Sequence, residues 1–102
     1  MRIIGKSRLK NFWEGHGQAE RVLQEWYSIL DKAKWKNFDD LRKIYPSADQ
    51  VSIKSGRTAT VFDIGGNNYR LIAAVHYNKQ TVYILDVMTH AEYDKNAWKN
   101  KF

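Results

Sequence analysis

Residues Gly65–Lys95 read GGNNYRLIAAVHYNKQTVYILDVMTHAEYDK. Two apolar, β-rich runs, Tyr69–Tyr77 and Thr81–Val87, are separated only by Asn78-Lys79-Gln80, the spacing of antiparallel neighbours. Gly65-Gly66-Asn67-Asn68 precedes them, and glycine and asparagine tolerate the positive φ angles of a hairpin turn. Leu71–Val75 is apolar on both faces, which predicts a central strand covered by a helix. The second run ends in Met88-Thr89-His90-Ala91-Glu92-Tyr93-Asp94-Lys95, a polar cluster delivered to the end of a sheet.

Upstream, Thr58–Ile64 alternates with Thr58, Thr60, Phe62 and Ile64 on one face, and Val51 and Ile53 begin the same extended region through a turn or bulge at Lys54–Arg57. Before Pro46 the period is helical. Ala19, Val22, Leu23, Trp26, Leu30 and Ala33 mark the strongest helix, with Trp26 in its core stripe. Leu9, Phe12 and Trp13 share a face of a shorter one capped by Ser7, and Gly15-His16-Gly17 breaks it. A third helical pattern, Phe38 to Tyr45, follows the cap candidate Asn37, and Asp39 and Asp40 suit its first turn. Arg2–Lys6 supplies a first strand. The order is β-α-α-β-β-β, an α+β domain over residues 1–102 with helices packed on one face of a mostly antiparallel sheet.

The 102 residues suffice for one modest core, and a hydrophobic fraction of 43% argues against disorder. Cysteine is absent, which excludes disulfides and thiolate chemistry. Neither a signal peptide nor a membrane span is expected, so the chain reads as cytoplasmic. A formal charge of +6 favours a polyanionic partner such as nucleic acid, or an acidic protein. Arg2, Lys6, Arg8 and Lys10 form one basic group, and Lys32, Lys34 and Lys36 another around Trp35, a candidate stacking or docking residue. The three histidines lack metal-ligand spacing, and nucleotide-binding and serine-hydrolase motifs are missing. No metal or cofactor is expected.

Cleavage of RNA by its own 2′-hydroxyl needs a base, an acid and cations for the charge that builds on phosphorus. His90 is the best proton-transfer candidate, Arg70 can grip phosphate with two N–H groups, and Tyr93 can bond phosphate or stack on a base. Lys54, Arg57, Lys95 and Asn68 are candidate RNA contacts. Each has a plainer role available: Arg70 can form a salt bridge to Asp86 or Glu92, Tyr93 can fill core, Lys54 and Arg57 can be solvated, and His76 reads as structural.

The blocks SRLKNFWEGHG, FDIGGNNYRLIAAV and VMTHAEYDK together resemble the HigB family of toxin–antitoxin mRNA interferases, which have the RelE fold. The resemblance implies an endoribonuclease that cuts mRNA on the ribosome, leaves a 2′,3′-cyclic phosphate, and is neutralised by a cognate helix-turn-helix antitoxin. It also implies that Arg70 matches the recurrent arginine of the superfamily, and that His90 and Tyr93 fall where relatives keep basic and aromatic catalytic residues. A non-catalytic RNA- or ribosome-binding module is the alternative, and a protein-interaction domain a third reading.

Overall fold

Apolar residues spaced two apart build the middle of the molecule. In the computed structural model, which describes residues 1–102, Thr58–Ile64 (β3) and Tyr69–His76 (β4) pair antiparallel, with Asp63 opposite Arg70 and Ile64 opposite Tyr69. Gly65 and Gly66 carry φ of 62° and 67° in the connecting turn, the left-handed region that glycine enters without strain. β4 pairs antiparallel with Thr81–Thr89 (β5), two residues longer at its end than the sequence suggested, and a register shift falls between Ile72 and Ala73. With Arg2–Ile4 (β1) and Asp49–Ser52 (β2), the five strands lie in the order β1-β5-β4-β3-β2, which makes β4 central as expected. Arg2–Ile4 (β1) adds the one parallel pairing, along β5.

Three helices, Lys6–Gly15 (α1), Glu20–Lys32 (α2) and Phe38–Ile44 (α3), lie between β1 and β2 in sequence. Their apolar stripes supply Leu9, Leu23, Trp26, Leu30 and Leu41 to a core shared with Phe62, Ile64, Leu71, Ala73, Val82 and Ile84 on one sheet face. Trp26 is 1% exposed and meets Phe62 edge-on at 5.5 Å. Full burial of so large a ring contributes about 3 kcal/mol or more. Asn37 caps α3 as predicted, its Oδ1 accepting the Asp40 N–H at 2.9 Å.

Several expectations are corrected. Ser7 does not cap α1; the cap falls two residues earlier, at Gly5 with φ 100°, where a side chain would lie 3.1 Å from the Ile84 carbonyl oxygen. The tight crossing over β5 selects glycine there, and the backbone turn replaces a side-chain cap. Val51 and Ile53 do not continue into Thr58: Asp49–Ser52 (β2) is a separate edge strand antiparallel to β3, with Ile53 in the loop between them. Trp35 is neither a docking nor a stacking surface. It is 7% exposed, packed in the helix-side core edge-on to Tyr45, while the neighbouring Lys34 and Lys36 take the solvent.

The second sheet face is also covered. A short helix, His90–Asp94 (α4), and a 3-10 turn, Ala97–Asn100, bring Trp98 onto Ile53, Ala59, Val61, Ile72 and Met88. This C-terminal segment is fastened to the β2–β3 loop by the N–H groups of Lys54 and Ser55, which donate to the carbonyls of Lys99 and Phe102. The large helices thus share one face, and the chain end crosses the other.

Candidate functional site

The four-residue turn before β4 and the end of β5 lie at the same end of the sheet, because Tyr69 pairs with Thr89. Asn68 accepts the His90 N–H at 3.0 Å, joining the turn to the start of α4. Thr89 caps that helix reciprocally with Glu92: its hydroxyl accepts the Glu92 N–H at 3.2 Å, and Glu92 Oε1 accepts the Thr89 N–H at 3.2 Å. This bonding holds the Glu92 carboxyl below the usual range, with His16 and Lys95 adding smaller electrostatic support. So short a helix is fixed by its cap rather than by its length.

Arg70 projects onto the face opposite the large helices and is 7% exposed. Its Nε meets Asp63 Oδ1 at 3.1 Å, so its partner is Asp63 and not Asp86 or Glu92. Asp86 accepts the Val87 N–H and pairs with Lys101 at 3.7 Å instead. Nη1 of Arg70 donates to the carbonyls of Asn67 (3.3 Å) and Tyr69 (3.0 Å), and Nη2 donates to Asn67 Oδ1 (2.6 Å). One guanidinium N–H of the five is left without a protein acceptor.

Tyr93 lies over this guanidinium, its ring centroid 5.6 Å from Cζ, and stacks on Trp98 at 5.2 Å. The Trp98 indole N–H donates to the Tyr93 carbonyl at 3.1 Å. Burial raises the Tyr93 phenol above its ordinary range, Asp49, Asp63 and Asp94 push the same way, and Arg70 opposes them. The hydroxyl is therefore a protonated donor at neutral pH. Tyr93 thus packs against Trp98, as its plainer role required, and faces the arginine.

His90 turns Nε2 toward Asp94 Oδ2 at 3.4 Å, while Nδ1 is buried without a partner. At the same end of β4, but on the face covered by the large helices, stands His16, which the sequence reading treated only as part of a helix break. Its ring stacks on Phe12 at 4.2 Å and meets Tyr69 edge-on at 6.4 Å.

The structure thus brings Arg70, Tyr93, His90 and Asn68 to one end of the sheet, and adds Asp63, Asn67 and Asp94, which sequence reasoning missed. Asp63 was available from the hairpin itself, since a four-residue turn at 65–68 sets residue 63 opposite residue 70. Lys95 ends α4, exposed and close enough to act on Glu92. Lys54 and Arg57 do not join this group. They precede Thr58 at the far end of β3, five residues from Asp63, a run of roughly 17 Å. Arg57 there lines a cavity of about 570 Å³ with His76, Ser55 and Phe102. His76 packs edge-on against Tyr83 at 5.3 Å, in keeping with a structural role. No three His, Asp or Glu side chains converge in a metal-binding arrangement, and no helix is long and apolar enough to cross a membrane.

The sequence profile of the HigB toxin, described as a RelE-like toxic component of a toxin-antitoxin system, matches residues 19–96. The chain belongs to the HigB toxin family. It is 34% identical over 94 residues to the mRNA interferase toxin HigB of Escherichia coli (strain K12), covering 92% of this chain and 88% of the relative. The mRNA interferase HigB of Shigella flexneri shows the same identity and coverage. That of Escherichia coli O6:H1 is 26% identical over 95 residues, covering 93% and 90%. The α+β architecture agrees with a RelE-like toxin, and the matched span runs from the start of α2 through α4. As a HigB-family toxin the chain has an antitoxin as its partner class.

Proposed function

We propose that this toxin is an endoribonuclease that cleaves mRNA by 2′-hydroxyl attack, using protein groups alone, and so halts translation. The observation that carries the reading is the meeting of Arg70, Tyr93, His90 and Asn68 at one end of the sheet in a HigB-family chain. In this reading His90, as an imidazolium held beside Asp94, protonates the departing 5′-oxygen. The free N–H of Arg70 and the Tyr93 hydroxyl receive charge from the phosphorus oxygens. Asn68 and Lys95 contact the same nucleotide, whereas Lys54 and Arg57, at the far end of the sheet, hold a flanking part of the RNA. The toxin acts in the cytoplasm on ribosome-associated message, as a single domain over residues 1–102, and a helix-turn-helix antitoxin neutralises it by covering this end.

Induction of the chain alone in a bacterial host, with transcript ends mapped, tests the reading. Growth arrest with new ends inside coding regions, abolished by Arg70→Ala and His90→Gln, is expected. Normal growth with intact message at high protein levels refutes it. Arrest with tight ribosome binding and uncut message favours a non-catalytic binding module.

A further inference from the structure

We propose that His16 is a second catalytic imidazole of this site, the general base that takes the proton from the attacking 2′-hydroxyl. The inference rests on the endoribonuclease reading above and assigns the base that reading leaves unnamed.

Three observations single out this histidine. First, its tautomer is fixed. Nδ1 lies 3.2 Å from the Phe12 carbonyl oxygen, which can only accept, so Nδ1 carries a proton and Nε2 of the neutral ring holds a lone pair. Nε2 has no protein partner, yet it is not a buried orphan: it is open to solvent. His90 is the reverse case, with Nδ1 buried and Nε2 turned to a carboxylate. Second, the ring is held still. It lies 4° from parallel on Phe12 and edge-on to Tyr69, and Tyr69 is paired with Thr89, the residue before His90. Third, Glu92, fixed in place by its bonds to Thr89, lies within electrostatic range of the ring. A carboxylate there stabilises the imidazolium that forms once the proton is taken. The other groups packed around the ring, Phe12 from α1 and Tyr69 from β4, carry no charge.

The two imidazoles then complete the reaction. His16 Nε2 takes the 2′-hydroxyl proton as the 2′-oxygen bonds to phosphorus. The bond from phosphorus to the 5′-oxygen breaks, and that oxygen takes the Nε2 proton of the His90 imidazolium, which turns from Asp94 to the leaving oxygen. The products are a 2′,3′-cyclic phosphate and a 5′-hydroxyl. His16 ends protonated and His90 neutral, and exchange with solvent restores both.

Single-turnover cleavage of two oligoribonucleotides separates the roles, one with the natural 5′-oxygen and one with bridging sulfur, which leaves as thiolate without needing a proton. His16→Phe keeps the stack on Phe12 and removes the lone pair, with His16→Gln as a second variant. Both are expected to slow cleavage of both substrates by ~10²-fold or more. RNA affinity and the unfolding midpoint should match the parent. Added imidazole should restore part of the rate to His16→Ala. His90→Gln should be slow on the oxygen substrate and recover on sulfur. His16→Phe cutting at the parent rate would make His16 a packing residue, and recovery of His16→Phe on sulfur would make it the acid; either overturns the assignment. A parent protein that cuts neither substrate, free or on ribosomes, overturns the endoribonuclease reading and this inference with it.

Discussion

Replacing Arg70 should unfold the site before it reveals anything about phosphate. Arg70→Ala strips partners from the Asp63 carboxylate, the Asn67 amide oxygen and the carbonyls of Asn67 and Tyr69. Removing one member of a buried ion pair costs about 3–5 kcal/mol, and hydrogen bonds to a charged group contribute about 1.5–3 each. The Asp63 side chain is 30% exposed, so water replaces part of what it loses. Asn67, on the surface of the turn, rehydrates fully. The loss should therefore sit at the low end, about 2–3 kcal/mol, or roughly 10–20 °C in Tm for a domain of this size. Arg70→Lys keeps the charge, but one ammonium cannot span Asp63 and the turn together, and about half the loss is expected. Urea unfolding of Arg70→Ala, Asp63→Ala and the double variant gives the coupling, expected near 1–2 kcal/mol because the second change removes a group already unpaired. Additive effects, or Arg70→Ala as stable as the parent, would refute the network. The arginine would then be free to serve phosphate alone. If the network holds, cleavage by Arg70 variants must be measured well below their unfolding midpoints.

Two further outcomes follow from the geometry. The Glu92 carboxyl is held low by the cap on Thr89, so its contribution to stability is complete above its ordinary value of 4.5 and is lost as pH falls through the lower folded value. The parent should be more stable than Glu92→Gln near neutral pH and converge with it in acid; a gap that widens in acid contradicts this. Arg57→Ala should weaken RNA binding and reduce the salt slope by about one unit, while cleavage of bound RNA keeps its rate; a slowed chemical step would place Arg57 at the scissile phosphate.

Local patterns carried most of the fold. Alternation named β3, apolar β-rich runs named β4 and β5, helical spacing named α2, and Asn37 announced α3, because each signal is written in neighbouring residues. What escaped depends on contacts remote in sequence. Gly5 replaces Ser7 at the start of α1 because of how β1 crosses Ile84, some eighty positions away. Trp35 sits among lysines yet points inward, since only the folded chain shows that Tyr45 is waiting for it. The site was legible in part for the same reason. Arg70, Tyr93 and His90 stood out by residue type at strand ends. Asp94 and His16 did not, because their meaning comes from a ring nitrogen facing a carboxylate and from another tied to a carbonyl. Lys54 and Arg57 were grouped with the site on charge alone, and strand length separates them from it.

The charge of +6 is not spread evenly over the molecule. Arg2, Lys32, Lys34 and Lys36 line one cavity beside Gln80, at the end of the sheet away from His90. Lys54 and Arg57 occupy that end as well. Around Tyr93 the pattern inverts: Asp49, Asp63 and Asp94 gather there, and Arg70 is largely neutralised by Asp63. β4 alone spans roughly 26 Å, about three times the screening length of ~8 Å at physiological salt. The far cations therefore do little to the potential at the candidate site. For an RNA substrate this division has a consequence. Contacts to the flanking backbone bind ground and transition states alike, so they anchor the strand without accelerating the chemical step, which only interactions that strengthen toward the transition state do. In the proposed mechanism that step rests on the groups at the other end of the sheet: one N–H of Arg70, the Tyr93 phenol, Lys95 and the two imidazoles.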